Sequence, residues 1–346
     1  VSRQLRTGAA TLAGNGQGVG IMGKTPEIEV LERAVLLACR APSVHNSQPW
    51  RWVTQDGALR LYVDRHRAMP ATDYSGREVI LSCGAVLDHL CVAMTAAGWE
   101  PNVARRPDPD DPDQLAAITF SPLERVTEAQ RRRAEAILQR RTDRLPLGRP
   151  TYWELFEPAL RGTFDETAVS LDVLADEVRP LLGEASRLTE ELRRDDAYYH
   201  AELDWWTPSF ALSEGMPPSA LASDKESWRV DVARSFPVRS HADRRGDVKV
   251  DWAKILVLST PGDSRSDVLR CGEVLSTVLL ECTVAGMATC PLTHLIELEE
   301  SREIVRELVG RYGEPQVLIR VGIAPPMEQL SPATPRRRLD DVLQIR

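Results

Sequence analysis

Apolar residues recur at helical spacing through Ile28, Leu31, Val35 and Ala38, preceded by Thr25 and Pro26 as an N-cap and a first helical residue. Pro42 ends this helix, because the residue before a proline is pushed out of the helical region. Two short apolar runs follow, Trp50 to Val53 and Leu59 to Val63, and the Asp56-Gly57 dipeptide between them predicts a hairpin. Further on, Val79 to Ala97 and Val268 to Ala285 are apolar nearly all round and each is closed by a glycine, which predicts two long helices at the centre of the fold. Strand-like runs cover Leu115 to Phe120, Ala253 to Leu258 and Gln316 to Ile323. This order gives an α+β class, a sheet flanked by helices, and no GxGxxG dinucleotide fingerprint follows a strand.

The two central segments are alike in more than apolarity. A shift of 188 positions lays Arg77 on Arg265, Leu81 on Leu269, Cys83-Gly84 on Cys271-Gly272 and Thr95 on Thr283. Two buried helices can look alike by composition alone, but shared arginine, Cys-Gly and threonine positions favour duplication. The organisation expected is a disordered leader over 1–24, an N-terminal half over 25–125, and a C-terminal half over 126–346 that carries an insertion at about 205–248. That insertion holds Trp205, Trp206 and Trp228 and several prolines outside any obvious helix or strand, as a lid or a strap between lobes would.

Composition narrows the partners. With 346 residues, 42% of them hydrophobic, the chain can bury one large core or two smaller ones. A net charge of -8 argues against generic nucleic-acid or anionic-membrane binding. Only four lysines occur, so positive charge is almost all arginine and its clusters stand out. The six cysteines form no CxxC and no metal-like grouping with histidine, and read as buried reduced thiols. No stretch reads as a membrane span or a signal-peptide core, so a cytoplasmic protein is expected.

Two stretches carry candidate chemistry. Pro42-Ser43-Val44-His45-Asn46-Ser47-Gln48-Pro49-Trp50 sets small polar residues between two prolines, at a helix-to-strand junction; it is either a binding loop or a plain connection. Thr127 and Gln130 form a capping-box pair opening a helix that runs into Arg140-Arg141-Thr142-Asp143-Arg144. Three arginines and a hydroxyl in five residues match a phosphate, or else make a solvated basic helix end.

Pro-Ser-x-x-Asn-x-Gln-Pro-Trp after the first helix resembles the signature of the FMN-dependent nitroreductase superfamily, whose long central helices form the core of an intertwined homodimer. The resemblance implies that Pro42, Ser43, Val44 and Asn46 line the flavin, and that Gln48, Pro49 and Trp50 set the loop's exit into the sheet. Arg-x-Ser/Thr-x-Arg is similar to the element that grips FMN in that family, which implies Arg140 and Thr142 at the phosphate and Arg144 near the flavin pyrimidine, where a cation raises the reduction potential. Pro335-Arg336-Arg337-Arg338-Leu339 resembles the basic pair that closes the phosphate site, with Arg336 and Arg338 at the matching positions. Gly286 to His294 resembles the segment passing flavin N5 and O4, which implies Pro291, Leu292 and Thr293. Here Thr293 and His294 replace the family's usual acidic residue and glycine. Cys290 and His294 also admit a nucleophile-and-base reading, against which stand the lack of an oxyanion hole and of a third member.

The loop and the arginine element each occur once, in opposite halves, which implies one FMN per polypeptide and a monomer that mimics the family's dimer. The counterpart of the loop in the second half is expected at Tyr198 to Pro208, where no Pro-Ser-x-x-Asn stands. The insertion makes the chain similar to the Acg-like branch found in mycobacteria and relatives. What the resemblance implies is an FMN-binding oxidoreductase passing electrons from NAD(P)H to a nitroaromatic or quinone. The alternative it leaves is a protein that sequesters FMN beneath the insertion with little turnover.

Overall fold

Asp56 and Gly57 both take positive φ (52° and 72°), a two-residue turn that pairs Gln55 with Ala58 and sets the register of the first hairpin. The structure, a computed structural model, describes residues 25–207, 215–240, 242–326 and 333–346. The leader over 1–24 and residues 208–214 and 241 of the expected insertion lie outside the described residues. Helix α1 (Ile28–Ala38) starts later than its sequence signal, with Glu27 as N-cap, because the backbone of Glu27 is still extended (ψ 151°).

The first sheet is built from β1 (Trp50–Gln55), β2 (Ala58–Val63), then, after helix α2 (Arg77–Ala96), β3 (Trp99–Arg105) and β4 (Gln114–Pro122). Helices α3 (Glu128–Gln139) and α4 (Trp153–Arg161) lead to the second sheet. It contains β5 (Ser170–Leu174) and, after α5 (Arg179–Leu192), α6 (Ala197–Trp206) and the one-turn α7 (Asp224–Ser227), β6 (Lys254–Thr260). Helix α8 (Arg265–Val284), β7 (Ala288–Leu292), α9 (Glu299–Val309) and β8 (Glu314–Gly322) complete it, and the one-turn α10 (Leu339–Val342) and β9 (Leu343–Ile345) close the chain. The strand orders are β3-β4-β2-β1-β9 and β7-β8-β6-β5, so four strands of each sheet follow one topology around α2 and α8 respectively. β9 lies parallel to β1, Trp52 opposite Leu343, which returns the C-terminal residues to the first sheet.

α2 and α8 cross where Gly84 meets Gly272. A Cβ on Gly84 would stand 2.1 Å from the Leu269 carbonyl oxygen, and one on Gly272 the same 2.1 Å from that of Leu81. Only glycine admits this approach, and the two contacts are reciprocal under the 188-position shift. Polar residues at the crossing bond to one another: Ser276 Oγ donates to Asp88 (2.5 Å) and lies 2.7 Å from His89 Nδ1. Contrary to the sequence reading, α2 is long and apolar enough to cross a bilayer by length and composition; most of it is buried inside the protein.

The 188-position offset fails outside the helices. The topological counterpart of β1 is β5, so that of the 42–50 loop is the connection from α4 to β5, Gly162 to Val169, and not Tyr198 to Pro208, which falls largely in α6. Gly162-Thr163-Phe164-Asp165-Glu166-Thr167-Ala168-Val169 also lacks Pro-Ser-x-x-Asn. The sequence around β5 and β6 is displaced because the long excursion between those strands starts well before residue 205. Trp205 and Trp206 stand in the last turn of α6 and not in a loop.

Candidate functional site

Three of four consecutive residues in the loop, His45 (φ 48°), Asn46 (φ 59°) and Gln48 (φ 53°), are left-handed. Asparagine and histidine tolerate this region and glutamine does not readily, so the surroundings must hold it. Ser43 Oγ accepts from the Gln48 N–H (3.0 Å), and Gln48 Oε1 accepts from the Arg337 N–H (2.9 Å). Arg337 also donates to the carbonyls of Gln48 (3.1 Å) and Trp50 (3.2 Å). The Val44 N–H donates to Ser82 Oγ on α2 (3.1 Å), and the Cys83 thiol donates to the Pro49 carbonyl (3.3 Å). The loop is thus fixed to the central helix on one side and the C-terminal segment on the other.

Behind it lies a knot of like charge. Arg140 donates to the Arg40 carbonyl (3.3 Å), and Arg336 donates to the same oxygen (3.1 Å) and to the Cys39 carbonyl (2.8 Å). Capping the C-terminal carbonyls of α1 suits a guanidinium. Arg40 and Arg141 stand close to both, and among the described residues no carboxylate pairs with any of the four. Burial and the Arg141 and Arg40 charges push Arg140 down to about 10, and burial with Arg40 and Arg140 pushes Arg336 down to about 9. Nε and one terminal nitrogen of Arg140 are buried without a hydrogen bond. Two short stretches lead from this knot to one cavity, Arg40 to Pro42 and Arg140 to Thr142.

The cavity, of about 650 Å³, lies between α2, the edge of the second sheet, α5 and the segment 221–239. That volume is in the range of small-molecule and cofactor sites. Pro42, Ser43, Val44 and His45 form one wall, Thr142 and Arg144 another, and Cys290 to His294 a third. The 140–144 element is placed there by backbone pairing, since Thr142 bridges Thr289 and the Asp143 N–H donates to the Thr289 carbonyl (2.8 Å). Leu221, Trp228, Val230, Arg234 and Phe236 cover it from the insertion. Arg144 ties that cover down, donating to the Ala220 carbonyl (3.2 Å) and lying 5.5 Å from the Phe236 ring centre.

Several buried polar atoms of the wall have no partner. They are both ring nitrogens of His45, both carboxyl oxygens of Glu78, Nδ1 of His294 and one terminal nitrogen of Arg320. Buried polar groups are ordinarily satisfied, so a cluster of orphans around one cavity marks where a polar ligand completes the hydrogen bonding. Burial, Arg234 and Arg144 hold His45 well below the usual imidazole range, and burial with Arg234 does the same to His294, so both are neutral. Burial and Asp73 push the Glu78 carboxyl up to about 7. Arg320 is different: burial works against its charge, but Asp251 holds it above its ordinary value through bonds of 2.6 and 3.0 Å.

Of the residues singled out by sequence, Pro42, Ser43, Val44, Thr142, Arg144, Pro291, Leu292 and Thr293 line the cavity, and Arg140 and Arg336 sit in the arginine knot. Asn46 does not reach the cavity; its amide donates to the carbonyls of Gly215 (2.9 Å) and Pro335 (3.1 Å), tying the loop to the insertion and the tail. Arg338 is not brought in either. Its side chain is 81% exposed and faces Asp340, while Arg336 holds the end of α1 and Arg337 takes the contact with the loop. Cys290 and His294 form no pair: burial pushes the thiol up, and His294 Nε2 lies 2.8 Å from Ser186 Oγ. Sequence reasoning missed Glu78, Arg234, Phe236 and Arg320. Glu78, a charge inside an apolar helix pattern, was the one detectable signal among them.

A scan against protein-family models matches none of them. Among curated proteins, an uncharacterized protein of Mycobacterium tuberculosis is 63% identical over 321 residues, 92% of this chain and 93% of the relative. A second M. tuberculosis protein, with the provisional name NAD(P)H nitroreductase acg, is 55% identical over 318 residues, 92% of this chain and 96% of the relative. The chain belongs to the Acg branch of the nitroreductase family. An FMN-dependent nitroreductase from Mycobacterium smegmatis solved in complex with NADPH gives a TM-score of 0.38 at 16% identity, over 63% of this chain and 99% of that one, too loose a likeness to locate a ligand. In this Acg-branch nitroreductase the candidate ligand site is its own cavity and arginine knot.

Proposed function

We propose that this chain binds one FMN and passes electrons from NAD(P)H to a nitroaromatic or quinone acceptor. The observation that carries the reading is the carboxylate-free knot of buried Arg140, half-buried Arg40 and Arg336 and exposed Arg141, joined through Pro42 and Thr142 to a cavity of about 650 Å³. Guanidinium groups held together without a counter-charge fit a phosphate, whose oxygens satisfy the open donors of Arg140. The cavity wall fits the rest of the cofactor, offering apolar faces at Pro42, Val44, Pro291 and Leu292 beside polar groups at Thr142, Arg144 and Thr293. FMN, when bound, supplies the hydride chemistry.

The chain's own residues then have separate tasks. Arg140 and Arg336 neutralise the phosphate; Arg144, half-buried and cationic, stabilises negative charge at the pyrimidine end. The 221–239 segment limits water in the cavity while the exposed Trp228 flanks its mouth. The name of the acg relative and the family's resemblance to this loop and arginine element support NAD(P)H as the donor.

The domain reading belongs to the same proposal: two halves meeting near residue 125, derived by duplication, with the insertion as a lid, in a cytoplasmic monomer. The shared strand order and the reciprocal glycines support it. The purified chain should be yellow, release one FMN per polypeptide on denaturation, and bleach on anaerobic mixing with NADPH. Two FMN per chain would remove the one-site reading, and a flavin that stays oxidised under excess NADPH and NADH would remove the reductase.

A further inference from the structure

We propose that Glu78 is the proton-storing group of the cavity: its carboxylate takes up one proton as two electrons enter the bound cofactor and returns it as they leave. The inference rests on the FMN reading above. Glu78 is 2% exposed, on the first turn of α2, and neither carboxyl oxygen has a hydrogen bond that commits it to a structural role. A buried carboxyl without a fixed partner titrates in response to whatever charge appears beside it. Its surroundings leave it poised near neutrality, because burial and Asp73 disfavour its charge while Arg234, Arg77 and the Thr293 hydroxyl favour it, for a net value of about 7.

Asp73, the other buried acid beside it, is committed to the start of α2, where it accepts from the Val79 N–H (2.9 Å), and the remaining neighbours do not compete for this role. Arg234 is already neutralised by Glu297, Arg320 by Asp251, and Arg144 remains a cation. His45 and His294 are held neutral by burial and by Arg234, and a proton near neutral pH does not stay on either. Glu190, Asp224 and Asp231 at the mouth are solvent-exposed, where water screens them from charge inside. Arg77 is turned away, donating to carbonyls at Pro315 and Ile296. Thr293, which the family resemblance places beside the flavin, lines the same cavity as Glu78, linking the acid to the place where electrons arrive.

Two electrons and one proton convert oxidised FMN to its N5-protonated anion, and Glu78 binds a second proton because that new negative charge raises its affinity. Reoxidation by a quinone sends both electrons and both protons to the hydroquinone, and reduction of a nitro group to nitroso and water consumes the same two of each. The cavity thereby carries the full two-electron, two-proton requirement of such acceptors without admitting water at that step.

The test is the reduction potential of the FMN-loaded chain between pH 6 and 9, read spectroscopically against redox dyes. A two-electron couple shifts by about 30 mV per pH unit for each proton it takes up. The natural chain should steepen to about 59 mV per unit above pH 7, Glu78→Gln should stay near 30, and Glu78→Asp should keep a steep region. Equal slopes in the natural chain and Glu78→Gln overturn the proposal. So does a natural chain that takes up one proton, not two, per FMN when reduced electrochemically at pH 8 with a pH indicator, a measurement that needs no variant. A chain that binds no FMN removes the proposed function and this inference together, whereas bound FMN with a slope near 30 throughout removes the inference alone.

Discussion

Arg320 and Arg140 are equally withdrawn from water and differ in what meets them. Arg320 makes two bonds to Asp251, which also accepts from Arg179 (2.9 Å) and from the Leu147 N–H (2.8 Å), so two guanidinium groups and a backbone amide converge on one carboxylate. Arg140 meets a carbonyl and other arginines. A buried charge tends to be paired within the fold or to sit where a ligand pairs it. The first arrangement holds the 142–148 segment to the second sheet; the second leaves Nε and one terminal nitrogen of Arg140 open.

That contrast breaks most visibly at Asp251. Asp251→Ala leaves Arg320 without its counter-charge and Arg179 with only Asp231 (3.7 Å), and should destabilise the chain by about 3–5 kcal/mol, read as a lower urea midpoint at unchanged slope; a loss below about 1 kcal/mol would show that the network is not a fold-holding one. Glu78 tests the case of an unpaired acid. Its folded value of about 7 lies above the ordinary carboxylate range, so the folded chain holds the extra proton and stability falls as pH rises from the unfolded value toward 7. Apo Glu78→Gln should lack this part of the decline, on the order of 3 kcal/mol in the wild-type-minus-variant difference between pH 4.5 and 7.5. An identical pH profile for both proteins would mean the carboxyl is solvated.

Arg140→Ala should weaken FMN binding by about 1.5–3 kcal/mol in a flavin-fluorescence titration, yet leave the apo chain as stable as before or slightly more so, the reverse of the Asp251 result. A drop in apo stability with unchanged FMN affinity would put Arg140 in the structural class with Arg320. The smallest effect belongs to Arg338→Ala, within about 0.5 kcal/mol for both stability and FMN affinity, because its guanidinium is in solvent. A large loss of affinity there would restore the tail pairing inferred from the motif.

How far the sequence reached follows from the range of the interactions involved. The hairpin at Asp56-Gly57, the capping box at Thr127 and Gln130, and the two central helices are written in local pattern, and each stands close to where it was read. Short motifs singled out the loop and the arginine element, and residues of both line one cavity. Arg338 was misplaced by one residue, since a motif fixes which residues are present and not which side of an extended tail each one faces. Asn46 has the right neighbours in sequence, but Gly215 and Pro335 claim its amide, and both are remote in the chain. Helices α4 to α6 and the true extent of the excursion between β5 and β6 went unread because amphipathic surface helices leave a weaker pattern than two helices buried on every side. Glu78, Arg234 and Arg320 acquire meaning only from partners supplied by other elements.

The reciprocal contact of Gly84 and Gly272 also sets a problem of timing. The ribosome releases α2 long before its partner exists: at roughly 5–20 residues per second, the 188 positions separating the two helices correspond to on the order of ten to forty seconds of synthesis. Throughout that interval a helix apolar enough to be taken for a membrane span has neither α8 nor β9 to complete its lobe. The nascent chain is therefore a natural client for chaperones, and a fragment ending before α8 should collect in the pellet when expressed alone.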